Sequence, residues 1–321
     1  MLHPSITEAR LAIAASFPPH FFLENLALRD DNSMLVSAMM QKELYYVPHP
    51  SADSEVKPAL LYTFNELAWE PVELERDVFA IFTGSNYTTH EAYLYRLDLR
   101  GWAPGAEVKP ELIFSFPRGM VAPNGSCLLT PQTILVANMW AGSIVRVDLP
   151  PERAPQAKVW LQHESMKHID DPLPPPPQPG INGIRYSAKR QHVYYTNTAQ
   201  KLFMRVRIDT DTLEPISAPE RLASGGMYDD FCIDDENGVA YLTVHRENRI
   251  DRAPVEPDGG AVRPIAGEPL DEMLLGPTSA AWGRMPGELG RIAYVTTDGG
   301  TVAPPPDGRA RTAKVLRMEI H

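Results

Sequence analysis

Residues 180–208 read GINGIRYSAKRQHVYYTNTAQKLFMRVRI. Two short runs, Gly183–Tyr186 and His192–Asn197, are rich in β-branched and aromatic residues, and a polar turn separates them. A third run with strand alternation, Lys201–Ile208, follows. A period of two broken by turn residues is the pattern of an antiparallel meander. One polar residue, Asn182, stands immediately before the first run. The rest of the chain repeats this layout. The paired runs are Asn25–Leu28 with Met34–Ala38, Pro71–Leu74 with Val78–Thr83, Cys127–Leu129 with Ile134–Asn138, Phe231–Ile233 with Ala240–Val244, and Ser279–Trp282 with Arg291–Thr297. Further alternating runs are Leu44–Val47, Ala92–Leu97, Ser143–Val147 and Lys314–Glu319.

The residues that precede the first run of each repeat are Glu24, Trp69, Asn124, Asn182, Asp229 and Thr278, at separations of 45, 55, 58, 47 and 49. That period fits propeller blades of four strands each. The reading is an all-β, six-bladed β-propeller with four antiparallel strands per blade, one domain over residues 1–321. Arg10–Phe17 is a lone strand before the first repeat and Ala313–Ile320 a strand after the last. Pairing the two closes the ring and removes its exposed edge.

Composition narrows the partners. The 321 residues carry a formal charge of −11, which disfavours nucleic acid and anionic membrane as partners because both need a basic face. Proline, at 32, is about twice its usual share and disfavours a helical fold. Two cysteines, Cys127 and Cys232, exclude a disulfide framework and read as buried thiols. The apolar stretch Leu11–Phe17 is too short for a membrane span and lacks the flanks of a signal peptide, so the cytoplasm is the expected compartment. Sequons begin at Asn86 and Asn124. Proline-rich Pro172–Pro179 is expected as a loop at the mouth, and Pro304–Pro306 as a loop in the last blade. The sequence carries no oligomeric signal.

In a propeller the innermost strands start on one face, so the six residues above converge on the central channel. The ends of the second strands ring them: Met39, Ser85, Asn138, Met139, Trp140, Asn197, His245 and Thr297. Carboxylates and amides crowded into one narrow space are costly to bury, and a hard cation such as Ca²⁺ or Mg²⁺ relieves that cost through oxygen ligands. No serine elbow, phosphate loop or dinucleotide fingerprint is present, so no organic cofactor is expected.

The segments Leu23-Glu24-Asn25-Leu26-Ala27, Pro123-Asn124-Gly125, Gly180-Ile181-Asn182-Gly183-Ile184, Asp229-Asp230-Phe231-Cys232-Ile233-Asp234 and Gly276-Pro277-Thr278-Ser279 together resemble the senescence-marker-protein/gluconolactonase-like family of six-bladed propellers. The resemblance implies that Glu24, Asn182 and Asp229 are divalent-metal ligands. It also makes Asn124 a ligand or substrate-contacting amide, and Asp229 a residue that helps activate water in lactonases. Catalytic roles thus fall to Asp229, Asn124 and Asn182. Two departures bear on the substrate. Asp229 is followed by Asp230 rather than glycine. The stretch Gly119-Met120-Val121-Ala122-Pro123 lacks the arginine that sugar-lactone members place there.

With Trp69, Met120, Asn138, Met139, Trp140, Tyr228, Phe231, His245 and Thr278 expected around the mouth, the substrate reads as hydrophobic and conjugated. The first reading is therefore an enzyme of specialised metabolism that performs a hetero-Diels–Alder type of cyclisation, as some propellers of this look do. The needs are an apolar cavity and a polar centre that draws on a carbonyl. The alternatives are a metal-dependent lactonase or esterase and a non-catalytic binding propeller.

Overall fold

The computed structural model describes residues 8–52, 54–85, 91–120, 122–169 and 178–321. Chain order builds the sheets almost without interruption. A first strand, β1 (Ala9–Pro19), precedes five sheets of four. Blade 1 holds β2 (Leu23–Leu28), β3 (Met34–Ala38), β4 (Glu43–Val47) and β5 (Ala59–Thr63). Blade 2 holds β6 (Leu67–Glu75), β7 (Val78–Gly84), β8 (Ala92–Asp98) and β9 (Glu111–Ser115). Blade 3 holds β10 (Pro123–Thr130), β11 (Thr133–Asn138), β12 (Ser143–Asp148) and β13 (Gln156–Gln162). Blade 4 holds β14 (Ile181–Ser187), β15 (His192–Asn197), β16 (Leu202–Arg207) and β17 (Glu220–Ser224). Blade 5 holds β18 (Tyr228–Asp234), β19 (Val239–Val244), β20 (Arg249–Pro254) and β21 (Arg263–Ala266).

Blade 6 is composite: β22 (Pro277–Trp282), β23 (Ile292–Thr297) and β24 (Thr312–Ile320), with β1 as its outer strand. β1 runs antiparallel to β24, from Ala9 opposite Ile320 to Pro19 opposite Thr312, so the termini close the ring as expected. The innermost strands β2, β6, β10, β14, β18 and β22 pack in cyclic order, and β22 lies against β2. All sheets are antiparallel, and among the described residues the helical pieces are single 3-10 turns. The fold is therefore an all-β six-bladed propeller. β20, which has no counterpart among the alternating runs read from sequence, is the third strand of blade 5.

Burial follows position in the blade. The second strands β11, β15, β19 and β23 lie between neighbouring blades and are buried along almost their whole length, which explains continuous apolar runs such as Ile134–Ala137. Outer strands such as β5 and β9 face solvent. Cys127 and Cys232 are both free and buried.

Every inner strand breaks register at one shared place, and β6 and β10 break it a second time near their ends. The shared breaks fall between Leu23 and Leu26, Ala68 and Pro71, Pro123 and Ser126, Ile181 and Ile184, Tyr228 and Phe231, and Pro277 and Ala280. The six residues expected just outside the strands therefore sit inside them, as the first residue of a bulge. A bulge re-aims side chains, which is how these six leave the blade packing. The second bulge residues are Asn25, Glu70, Gly125, Gly183, Asp230 and Ser279. A Cβ on Gly183 would overlap Asp230, and one on Gly125 would lie 2.6 Å from the Gly183 Cα, so glycine lets blades 3, 4 and 5 meet closely.

Candidate active site

The bulges gather Glu24, Trp69, Asn124, Asn182 and Asp229 at one cleft on the channel axis. It holds about 500 Å³ of unfilled space, open solvent at its mouth included. The turns that leave the second strands supply the second tier. Met39, Met139, Thr198 and His245 are each the first residue of such a turn and line the cleft with Met40. Their backbone N–H groups bond back to Phe22, Ala122, Gly180 and Met227 respectively, and this fixes the aim of each. Phe22, Val302, Gln178 and Pro179 complete the lining. Gln178 and Pro179 are the last two residues of the proline-rich stretch, whose earlier residues lie outside those described. Pro304–Pro306 falls in a loop of blade 6.

The cleft is lined by two kinds of side chain. Phe22, Met39, Met40, Trp69, Met139 and Val302 form an apolar wall drawn from blades 1, 2, 3 and 6. Trp69 is held by its indole N–H, which donates to Gly84 O at 3.2 Å. Beside it lie Glu24, Asn124, Asn182 and Asp229, all at most 5% exposed. Asn182 Nδ2 donates to Thr198 Oγ1 at 2.9 Å, and that hydroxyl donates to Tyr228 O at 2.8 Å. This turns the Asn182 Oδ1 inward, where it is buried without a hydrogen-bond partner. Asn124 Nδ2 lies 3.8 Å from Met139 Sδ, and its side chain also bonds Glu24.

Electrostatics point the same way. Burial, then the charges of Asp230 and Asp298, push Glu24 up to about 8. Burial, then the charge of Glu24, holds Asp229 well above the ordinary carboxyl range. Below this tier Glu70 and Asp230 are also buried and also raised, burial again leading. Arg185 donates to Asp230 and lies 3.5 Å from Glu70. His245 is set between two acids, with Nε2 3.2 Å from Asp298 Oδ2 and Nδ1 3.8 Å from Asp229 Oδ2.

A hard divalent cation fits this arrangement. The donors are all oxygens, one of them is an orphaned buried carbonyl, and the acids repel one another until a cation arrives. Among the described residues no group of three or more His, Cys, Asp or Glu side chains is gathered for a metal. The candidate set instead mixes two carboxylates with two amides. Among the described residues no lysine or arginine lines the cleft, so an anionic substrate group would find no such partner there.

Other residues expected at the mouth lie elsewhere. Asn138 clamps a turn: its Oδ1 accepts Ala122 N at 3.0 Å and its Nδ2 donates to Met120 O. Met120 and Trp140 pack against the core between blades 2 and 3, and Trp140 meets His168 edge-on at 4.9 Å. Tyr228 and Phe231 are sealed between blades 4 and 5, with Phe231 5.1 Å from Phe203. Thr278 donates to Leu23 O at 2.7 Å and thereby joins blade 6 to blade 1. Asn124 is 3% exposed, so its sequon is sealed from a glycan, while that at Asn86 lies outside the described residues.

No family model matches the chain, and no curated protein does. Solved structures do. A luciferin-regenerating enzyme superposes with a TM-score of 0.63 at 15% identity, covering 94% of this chain and 92% of that one. A calcium-binding protein, regucalcin, from Agrobacterium tumefaciens gives 0.63 at 15%, covering 99% and 98%. A protein assigned to the gluconolactonases gives 0.57 at 13%, covering 99% and 93%. At these identities the likeness establishes the six-bladed fold, and chemistry has to be argued from the site. Among the described residues no helix is long and apolar enough to cross a membrane.

Proposed function

We propose that the chain is a cation-assisted enzyme that hydrolyses a neutral, hydrophobic lactone or ester. One observation carries this reading: a buried set of oxygen-bearing side chains, Glu24, Asn124, Asn182 and Asp229, shares a cleft with apolar side chains, and among the described residues no lysine or arginine lines it. The four oxygen donors would hold Ca²⁺ or Mg²⁺, which when bound draws electron density from a carbonyl oxygen. Trp69, Met39 and Met139 orient the apolar body of the substrate, and such positioning can contribute several kcal/mol. His245, beside Asp229, stands where the proton of an attacking water can be taken. The regucalcin and gluconolactonase likenesses support the choice of hydrolysis and of a divalent cation.

The test is a panel of aryl esters and lactones against their carboxylate-bearing counterparts. Hydrolysis of the neutral members, lost with chelator and with Asp229→Ala, is expected. Activity indifferent to both sinks the reading. The apolar wall favours a second reading, cyclisation of a conjugated substrate by hetero-Diels–Alder chemistry within specialised metabolism. A product ratio from a quinone methide and an alkene that matches the uncatalysed one would eliminate it for those substrates.

A further inference from the structure

Asp298 follows β23 directly, and no solvent reaches it. Its Oδ1 accepts Gly300 N at 2.7 Å and its Oδ2 accepts Val302 N at 3.3 Å. Its own N–H donates to Gly276 O at 2.8 Å. Gly276 has φ +61°, and a Cβ there would overlap the Asp298 carboxylate, so the backbone opposite is cut away to admit this side chain. Among the described residues the carboxylate also meets His245, whose Nε2 lies 3.2 Å from Oδ2.

His245 is held from several sides. Its N–H bonds Met227 O at 3.1 Å, and Phe22 meets its ring at 5.9 Å and 62°. Both Asp298 oxygens already accept backbone amides, so the acid is placed as an acceptor and the nitrogen facing it carries the proton. The other nitrogen, Nδ1, faces Asp229 at 3.8 Å, beyond hydrogen-bond reach. The space between them opens on the cleft.

We propose that Asp298 is a positioning residue of the site: it receives the Nε2–H of His245 and so presents an unprotonated Nδ1 beside Asp229 as an acceptor for substrate water. An acid that fixes the histidine tautomer plays the same part in hydrolytic triads. The consequence for catalysis rests on the hydrolytic reading above, whereas the geometry can be tested without substrate.

The experiment is long-range ¹H–¹⁵N correlation on the full chain labelled at histidine, with His245 assigned through His245→Gln. The wild-type ring is expected to carry its proton on Nε2. Asp298→Asn keeps an oxygen for Gly300 but turns an NH₂ toward Nε2, so the proton should move to Nδ1. In that variant hydrolysis of an ester the wild type accepts should fall about 10²-fold or more. A wild-type ring protonated on Nδ1 or on both nitrogens overturns the proposal, as does an Asp298→Asn ring unchanged from wild type. The wild-type ring decides alone should the variant not fold. Failure of the wild type to bind Ca²⁺ would count against the cation reading and is separate from the position of this proton.

Discussion

Glu24 and Asp229 are nearly sealed from solvent, and each holds its proton far more tightly than an ordinary carboxyl. A site built this way trades stability for a ligand. Glu24→Gln should therefore weaken Ca²⁺ binding about tenfold or more, since affinity at oxygen sites follows the charge count of the ligands. The same variant should unfold at a higher temperature than wild type in chelator. Calorimetric titration and thermal melts check both halves; a variant less stable without cation would refute the repulsion argument. At the rim, Met40 is 40% exposed and lines the cleft. Met40→Arg supplies the missing cation and should shift preference toward a carboxylate-bearing ester about tenfold, near the worth of one charge-assisted hydrogen bond. The ratio of kcat/KM for the acid and its methyl ester reads this out. At this scale the sequence was legible wherever a bulge residue was chemically odd, as Glu24, Asn124, Asn182 and Asp229 are. It misled by one position at the second tier, where Asn197 and Thr297 stand for Thr198 and Asp298. A one-residue step along a strand end turns a side chain to the other face, and apolar periodicity does not mark where pairing stops. Arg185 and Glu70 gave no local signal, because their pairing joins residues 115 apart.

Each bulge exposes backbone groups that need partners, and four blades supply them with one hydroxyl on the second strand. Ser37, Thr196, Thr243 and Thr296 each accept the N–H of the second bulge residue of their own blade and donate to a carbonyl at the bulge of the next. Register puts Phe82 and Ala137 at that place in blades 2 and 3. There the carboxylate of Glu70 accepts Ser126 N at 2.5 Å, and Arg185 reaches Ser126 O at 3.3 Å. The buried charges below the cleft thus hold the residue that follows the blade 3 bulge, one position beyond the N–H groups that the hydroxyls hold elsewhere in the ring. Thr243→Val keeps the shape and removes the stitch, leaving Asp230 N and Thr278 O unpaired. It should cost about 1–3 kcal/mol, read as a lower urea midpoint at unchanged m. An unchanged midpoint would mean that the hydroxyl only fills space. The paired strands were legible because turn residues bracket short β-branched runs. The bulges were not, because a bulge lengthens a strand without altering its composition, and so the ring residues read as lying just outside the strands that hold them.

Over the whole molecule the buried acids couple stability to pH. In the folded chain Glu24 holds its proton up to about 8, against 4.5 for an ordinary glutamate. Between those values the native state binds a proton that the unfolded chain has released. Unfolding stability then falls as pH rises, because its slope follows protons bound unfolded minus protons bound native. Glu70, Asp229 and Asp230, raised chiefly by burial, add the same sign. His192, lowered chiefly by burial, works in the opposite direction below its ordinary 6.5, as one group against four. Surface acids lowered by arginine partners, such as Asp98, lose their contribution only in more acid solution, below the ordinary 3.8. In chelator the melting temperature should therefore drop steadily from about pH 5 to 8. Excess Ca²⁺ takes the place of the protons, so the drop should shrink, and the stabilisation by cation should be largest at the alkaline end, where ligand binding to the native state alone raises stability by mass action. Melting curves across that range with and without calcium test this. A melting temperature that climbs with pH in chelator would mean that the acids are ionised and satisfied without a cation, and the channel would then be a structural plug of fixed charges closed by Arg185.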